Sequence, residues 1–122
     1  MLEFFLLLYK IILTEFDASN IKDMLFILNN CISLSNLDIS KINTKSATSM
    51  TGMFSSCSSL ENLDLKHFNT KNIKNKEKTF YSCSFTSLDL SSFDTKGVEE
   101  ISNMFYNCKK LTYLDISSFS SK

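Results

Sequence analysis

Cysteine, histidine and aspartate are the residue types in this chain best suited to attack, coordinate or carry protons. Their spacing decides what they can do. The four cysteines are Cys31, Cys57, Cys83 and Cys108, in steps of 26, 26 and 25 residues. Short metal motifs place their cysteines in close pairs, and no such pair exists here. Buried, reduced thiols are the expected state, because a free cysteine behaves as a small hydrophobe. His67 is the single histidine, with no partner evident for a Ser or Cys triad. The sequence contains no Gly-rich phosphate loop, H-E-x-x-H or EF-hand pattern. No nucleophile–base pair can be assembled, so no catalytic residue, metal ligand or cofactor is expected and the chain is read as a non-enzyme.

The aspartates repeat as well. Asp38, Asp64, Asp89 and Asp115 each sit between two apolar residues, in Leu37-Asp38-Ile39, Leu63-Asp64-Leu65, Leu88-Asp89-Leu90 and Leu114-Asp115-Ile116. On a strand such side chains point away from the core, and neighbouring strands about 4.8 Å apart would line up four carboxylates. One reading is an acidic stripe for a basic partner or weakly held Ca²⁺. The other is a solvated, hydrogen-bonded ladder of structural origin, which ordered repeats produce automatically and which is favoured here.

Two markers advancing together define a repeat, and a repeat dictates the architecture. Aligned on the cysteines, one apolar column holds Leu28, Phe54, Phe80 and Phe105, and another holds Ile42, Phe68, Phe93 and Phe119. The spacing Val98, Ile101, Met104, Phe105, Cys108 predicts a short helix, and Leu111, Leu114, Ile116 predicts a short strand. Thr44, Thr70 and Thr95 stand where helix N-caps would be useful. Glu99 and Glu100 near one end and Lys109 and Lys110 near the other suit a helix dipole. The expected fold is a single-domain right-handed α/β solenoid, leucine-rich-repeat-like, with about four repeats of 25–26 residues, each a short helix plus a short parallel strand. The repeats are 16–41, 42–67, 68–92 and 93–118, with a degenerate partial repeat over 1–15 and a truncated tail over 119–122. Phe5 at the cysteine column brings Leu2, Leu8, Ile11, Leu13 and Phe16 into the apolar columns. In the third repeat, Lys76 and Thr79 occupy positions that are apolar elsewhere.

Composition narrows the function further. Lys+Arg and Asp+Glu both number 13, so no global basic field invites nucleic acid. The local run Lys66, His67, Lys71, Lys74, Lys76 and Lys78 lacks interleaved aromatics and reads as a solvated face. Pro is absent and Gly numbers 2, so turns must be built from Ser, Asn, Asp and Thr, whose side chains bond nearby backbone. The apolar stretch from Leu2 to Leu13 is too short to span a membrane, and Glu3, Lys10 and the missing small-residue site depart from a secretion signal.

The phrase Met104-Phe105-x-x-Cys108-x-x-Leu111-x-x-Leu114-Asp115-Ile116-Ser117-x-Phe119, preceded by Phe93-Asp94-Thr95, resembles the BspA-like leucine-rich-repeat surface proteins. It recurs around Met53-Phe54, Cys57, Leu60, Leu63-Asp64-Leu65 and Phe68. The resemblance implies a surface-displayed or secreted protein associated with adhesion and protein binding, with no catalytic residues to carry over.

The expected function is a binding or adhesion module that takes a protein or host cell-surface ligand on its sheet side. The face would comprise the four aspartates with Asn36, Asn62, Ser87 and Tyr113, flanked by Lys41, His67, Ser92 and Ser118. The alternative is a structural segment of a longer array that self-associates through uncapped ends.

Overall fold

The computed structural model describes residues 20–121. The partial repeat over 1–15, the columns assigned to Leu2, Phe5, Leu8, Ile11, Leu13 and Phe16, and the opening of the 16–41 repeat lie outside the described residues.

The repeats stack, and backbone amides at alternate positions build the stack. Phe26, Leu28 and Asn30 donate to the carbonyls of Thr51, Met53 and Ser55. Gly52, Phe54 and Ser56 donate to Glu77, Thr79 and Tyr81. Lys78, Phe80 and Ser82 donate to Ser102, Met104 and Tyr106, and all nine bonds measure 2.7–3.1 Å. The intervening amides close short turns three residues back, as Ser55 does onto Gly52, Cys57 onto Phe54 and Tyr81 onto Lys78. Each repeat is therefore one rung, and every second amide ties it to the next.

This arrangement overturns the expected α/β class. Among the described residues there is no helix, and the only strands are β1 (Ser87–Asp89) and β2 (Tyr113–Asp115), paired in parallel. The right-handed solenoid of helix-plus-strand repeats is corrected to a stack of rungs built from turns. An α-helix sends each amide to the carbonyl four residues back, which for Phe54 would be Met50. Instead the Phe54 amide crosses to Thr79, 2.9 Å away.

Two columns of left-handed backbone explain why no helix can form. Phe26, Gly52, Lys78 and Asn103, five residues before each cysteine, and Asn30, Ser56, Ser82 and Asn107, just before it, have φ of 54–61°. Such residues interrupt a right-handed helix. At Gly52 the lost side chain also makes room, since a Cβ there would lie 2.1 Å from the Phe26 ring.

Consecutive three-residue turns still put Met50, Met53, Phe54, Cys57 and Leu60 on one buried side. The spacing that predicted a helix is thus shared by a different backbone. The core is a set of columns running through the rungs. The Phe54 and Phe80 rings stack at 5.7 Å, and Phe80 and Phe105 at 6.0 Å, each pair close to parallel.

Polar side chains complete the stack. Thr44, Thr70 and Thr95 are buried and are not helix caps. Thr44 Oγ1 accepts from the Asn69 amide at 2.8 Å and donates to its carbonyl at 3.0 Å. Thr70 makes the same pair of contacts with Asp94, and Thr95 accepts from Ser120. The threonine column clamps rung to rung. Glu99 and Glu100, expected at a helix start, are exposed at a bend and at an isolated parallel bridge to Asn75, where Glu99 pairs with Lys74 and Glu100 accepts the Ser102 amide. Lys109 and Lys110, expected past a helix end, likewise follow turns.

The thiols follow the same inter-rung rule. All four cysteines are free, with Cys31, Cys57 and Cys83 buried and Cys108 half-buried. The Cys57, Cys83 and Cys108 thiols donate to the carbonyls of Leu28, Phe54 and Phe80 in the preceding rung, at 2.8–3.1 Å. Burial pushes the Cys83 thiol up to about 12 and raises that of Cys108, while contact with the Cys31 thiol and burial raise Cys57 well above the ordinary range.

Candidate binding face

The repeated side chains on the polar side fall into three columns, and the structure gives each a different job. The aspartates build turns. Asp38, Asp64, Asp89 and Asp115 each accept, through Oδ1, the amide two residues on, at 2.9–3.0 Å. These are Asx turns, available because a short carboxylate reaches its own downstream backbone. Asn43, Asn69 and Asp94 turn the chain in the same way one column later. The shortage of Gly and absence of Pro find their reason here. Hydrogen bonds from Ser40 and Ser91 hold the Asp38 and Asp89 carboxyls below the usual carboxylate range.

The flanking column pins rungs together. The His67 ring nitrogen Nε2 lies 2.9 Å from the Ile39 carbonyl, Ser92 Oγ donates to Leu65 at 3.3 Å, and Ser118 Oγ donates to Leu90 at 3.0 Å. The His67 ring also meets Phe68 edge-on at 5.0 Å. These contacts give His67 a structural partner that the sequence did not reveal.

The remaining column is uncommitted. The side chains of Asn36, Asn62, Ser87 and Tyr113 are exposed, and none makes a hydrogen bond among the described residues. Asn36, Asn62 and Ser87 line one open groove of about 510 Å³ with Asp38, Asp64, Asp89 and Lys66, over a floor of Leu37 and Leu63. Tyr113 and Asp115 sit one rung further along on β2, in register with Ser87 and Asp89, and are not part of that lining. Six of the eight expected face residues therefore share the groove.

Lys66 is the residue that sequence reading placed elsewhere. It projects over the groove with Nζ 3.9 Å from Asp89, both side chains well exposed. The basic run to which it was assigned is dispersed. Lys74 pairs with Glu99 at 3.0 Å and Lys78 with Glu77 at 2.8 Å. Lys76 is fully buried, its Nζ donating to the carbonyls of Ile73 and Thr70. No single basic patch results. Nor, among the described residues, do three His, Cys, Asp or Glu side chains converge as a metal site.

Fold and face together define a stacked-repeat protein with helix-free rungs and a polar groove across one side. The chain belongs to the family described as Mycoplasma protein of unknown function, DUF285, whose model matches residues 5–119. No curated protein and no solved structure matches it. Among the described residues no helix is long and apolar enough to cross a membrane.

Proposed function

We propose that the chain is a non-catalytic protein-binding module of the adhesion type, which takes its partner in the groove. The observation that supports this is the division of labour among the columns. The aspartates are occupied by turns and the 67/92/118 column by inter-rung bonds, whereas Asn36, Asn62 and Ser87 lie side by side with no internal partner. Amide and hydroxyl groups held on a rigid stack suit a partner's backbone and polar side chains. The leucine floor adds apolar area, as binding sites usually do. The BspA-like motif supports the same reading, and with it a surface-displayed or secreted location and a protein ligand on a host or neighbouring cell.

The test is an array of cell-surface and extracellular-matrix proteins probed with the purified chain. Ser87→Arg and Asn62→Arg fill the groove, Asp64→Asn keeps the turn acceptor but removes a charge, and Lys45→Glu marks an exposed position outside the groove lining. The expected result is a binder lost with the two arginines, weakened by Asp64→Asn and retained by Lys45→Glu. Binding that survives both arginine variants rejects the groove as the site.

A further inference from the structure

Stacking assembles a row of lysines that the sequence keeps 26 and 25 positions apart. Lys45, Lys71 and Lys96 each stand twelve positions before a cysteine, in three consecutive rungs, and Lys71 is the one member of the dispersed basic run among them. All three sit on the same turn. Their amides are held by the side chains of Asn43, Asn69 and Asp94, two residues back, at 2.8–3.2 Å. The rungs are tied together on both sides of the row. On one side Thr44 and Thr70 accept the Asn69 and Asp94 amides. On the other, the Lys74 amide donates to Thr48 and the Glu99 amide to Lys74, each at 2.9 Å, and parallel bridges join Ser49 to Asn75 and Asn75 to Glu100. The lysines are therefore carried one rung apart, about 4.8 Å as between paired strands.

All three side chains are exposed, and none makes an ion pair or a hydrogen bond among the described residues. Their neighbours Asn43, Asn69, Ser46 and Asn72 are polar and uncharged. Asp94 is the one acid in the flanking column, half-buried and accepting the Lys96 amide. None of the large apolar side chains at the surface lies on these turns. Such surroundings discriminate among polyanions. Single-stranded nucleic acid is held by stacking its bases on aromatic side chains, and a peripheral membrane contact buries apolar side chains among the lipids. A linear anionic polysaccharide needs neither. Its sulfates or carboxylates recur along an extended chain, and its hydroxyls suit Asn and Ser.

We propose that the Lys45, Lys71 and Lys96 row binds a linear anionic polysaccharide laid along the stack, the amines pairing with its sulfate or carboxylate groups. The row shares no residue with the groove, so it is a second site, independent of the partner taken there.

The probe is immobilised heparin, a sulfated linear polysaccharide, with the full chain in solution. The wild type should bind at low salt and be released as salt rises. Lys45→Gln, Lys71→Gln and Lys96→Gln combined should bind about tenfold more weakly or worse, whereas Arg at the same three positions should retain binding. Lys78→Gln, Lys109→Gln and Lys110→Gln combined removes equal charge from other turns and should bind as the wild type does. Circular dichroism checks that each variant keeps the wild-type fold. No binding by the wild type overturns the proposal, as do equal affinities of the two Gln triples. Row-dependent binding to oligothymidylate or to phosphatidylglycerol vesicles, with none to heparin, also overturns it in favour of a nucleic acid or a membrane.

Discussion

Phe54 and Phe80 lie 26 positions apart in sequence, yet their rings are parallel to within 1° with centroids 5.7 Å apart. Offset-stacked rings at this distance attract through their quadrupoles beyond the area they bury. Phe80 is also stacked by Phe105 and met edge-on by Phe85 at 5.9 Å. Truncation of Phe80 therefore opens a cavity against four rings, the fourth being Phe93 at 6.3 Å. Phe80→Ala is expected to cost about 3–5 kcal/mol, and Phe105→Ala less, because Phe105 is only half-buried. Chemical denaturation of the two variants checks the order. Equal losses would place the rings in different environments from those described.

The threonine clamp predicts a loss from removal of one oxygen. Thr70→Val preserves shape but leaves the Asp94 amide, 2.8 Å from Oγ1, without its acceptor. An unsatisfied buried donor costs about 1–3 kcal/mol. Thr70→Ser retains the oxygen and should recover most of that stability. A helix-cap role would instead leave the Asp94 amide's exchange rate unchanged in Thr70→Val.

Lys76 gives a pH dependence of defined sign. Its amine is fully buried in a column that holds Met24 and Met50 in earlier rungs. Burial lowers its pKa from 10.5 to about 8, against the opposing pull of Asp94. At ~1.4 kcal/mol per pKa unit, the charged form is disfavoured in the folded chain by about 3 kcal/mol. Between pH 8 and 10.5 the unfolded chain binds this proton and the folded chain does not, so the Lys76 contribution improves as pH rises.

The thiols oppose it. Their folded pKa values are raised above 9.0, so their contribution is complete below that pH and is lost as pH climbs through the folded values. Comparing wild type with Lys76→Met at each pH isolates the lysine. Lys76→Met should be the more stable protein, with its advantage largest below pH 8 and shrinking towards pH 10.5. An advantage that is constant across this range would contradict a titrating buried amine.

The thiol column predicts an order of reactivity. Cys108 is half-buried at the end of the column, while Cys57 and Cys83 are enclosed between rungs. A thiol reagent should modify Cys108 ahead of Cys57 and Cys83. All four should become titratable on denaturation without reductant. Fewer than four thiols, or simultaneous modification in the native state, would refute the column.

The columns were legible in the sequence because like residues recur at a fixed period, and the structure stacks Phe54, Phe80 and Phe105 as that period requires. The rung backbone was not legible. Met50, Met53, Phe54 and Cys57 carry the spacing of a helical stripe, and turns closing three residues back produce the same buried side. The left-handed column of Phe26, Gly52, Lys78 and Asn103 shares no side-chain chemistry, so pattern reading could not find it. The second such column, Asn30, Ser56, Ser82 and Asn107, carried a weak hint, since Asn tolerates positive φ. On the candidate face, sequence spacing placed Asn36, Asn62 and Ser87 together. It could not show that His67 and Ser92 are held by carbonyls of the preceding rung, which only the stacking brings within reach.

The backbone ladder is tested most directly by a hydrogen-bond scalar coupling at the Phe54 amide nitrogen. The structure predicts a coupling to the carbonyl carbon of Thr79, 25 residues onward, across the 2.9 Å bond between rungs. A coupling to the carbonyl of Met50, the α-helical partner, would contradict the rung architecture and the groove that rests on it.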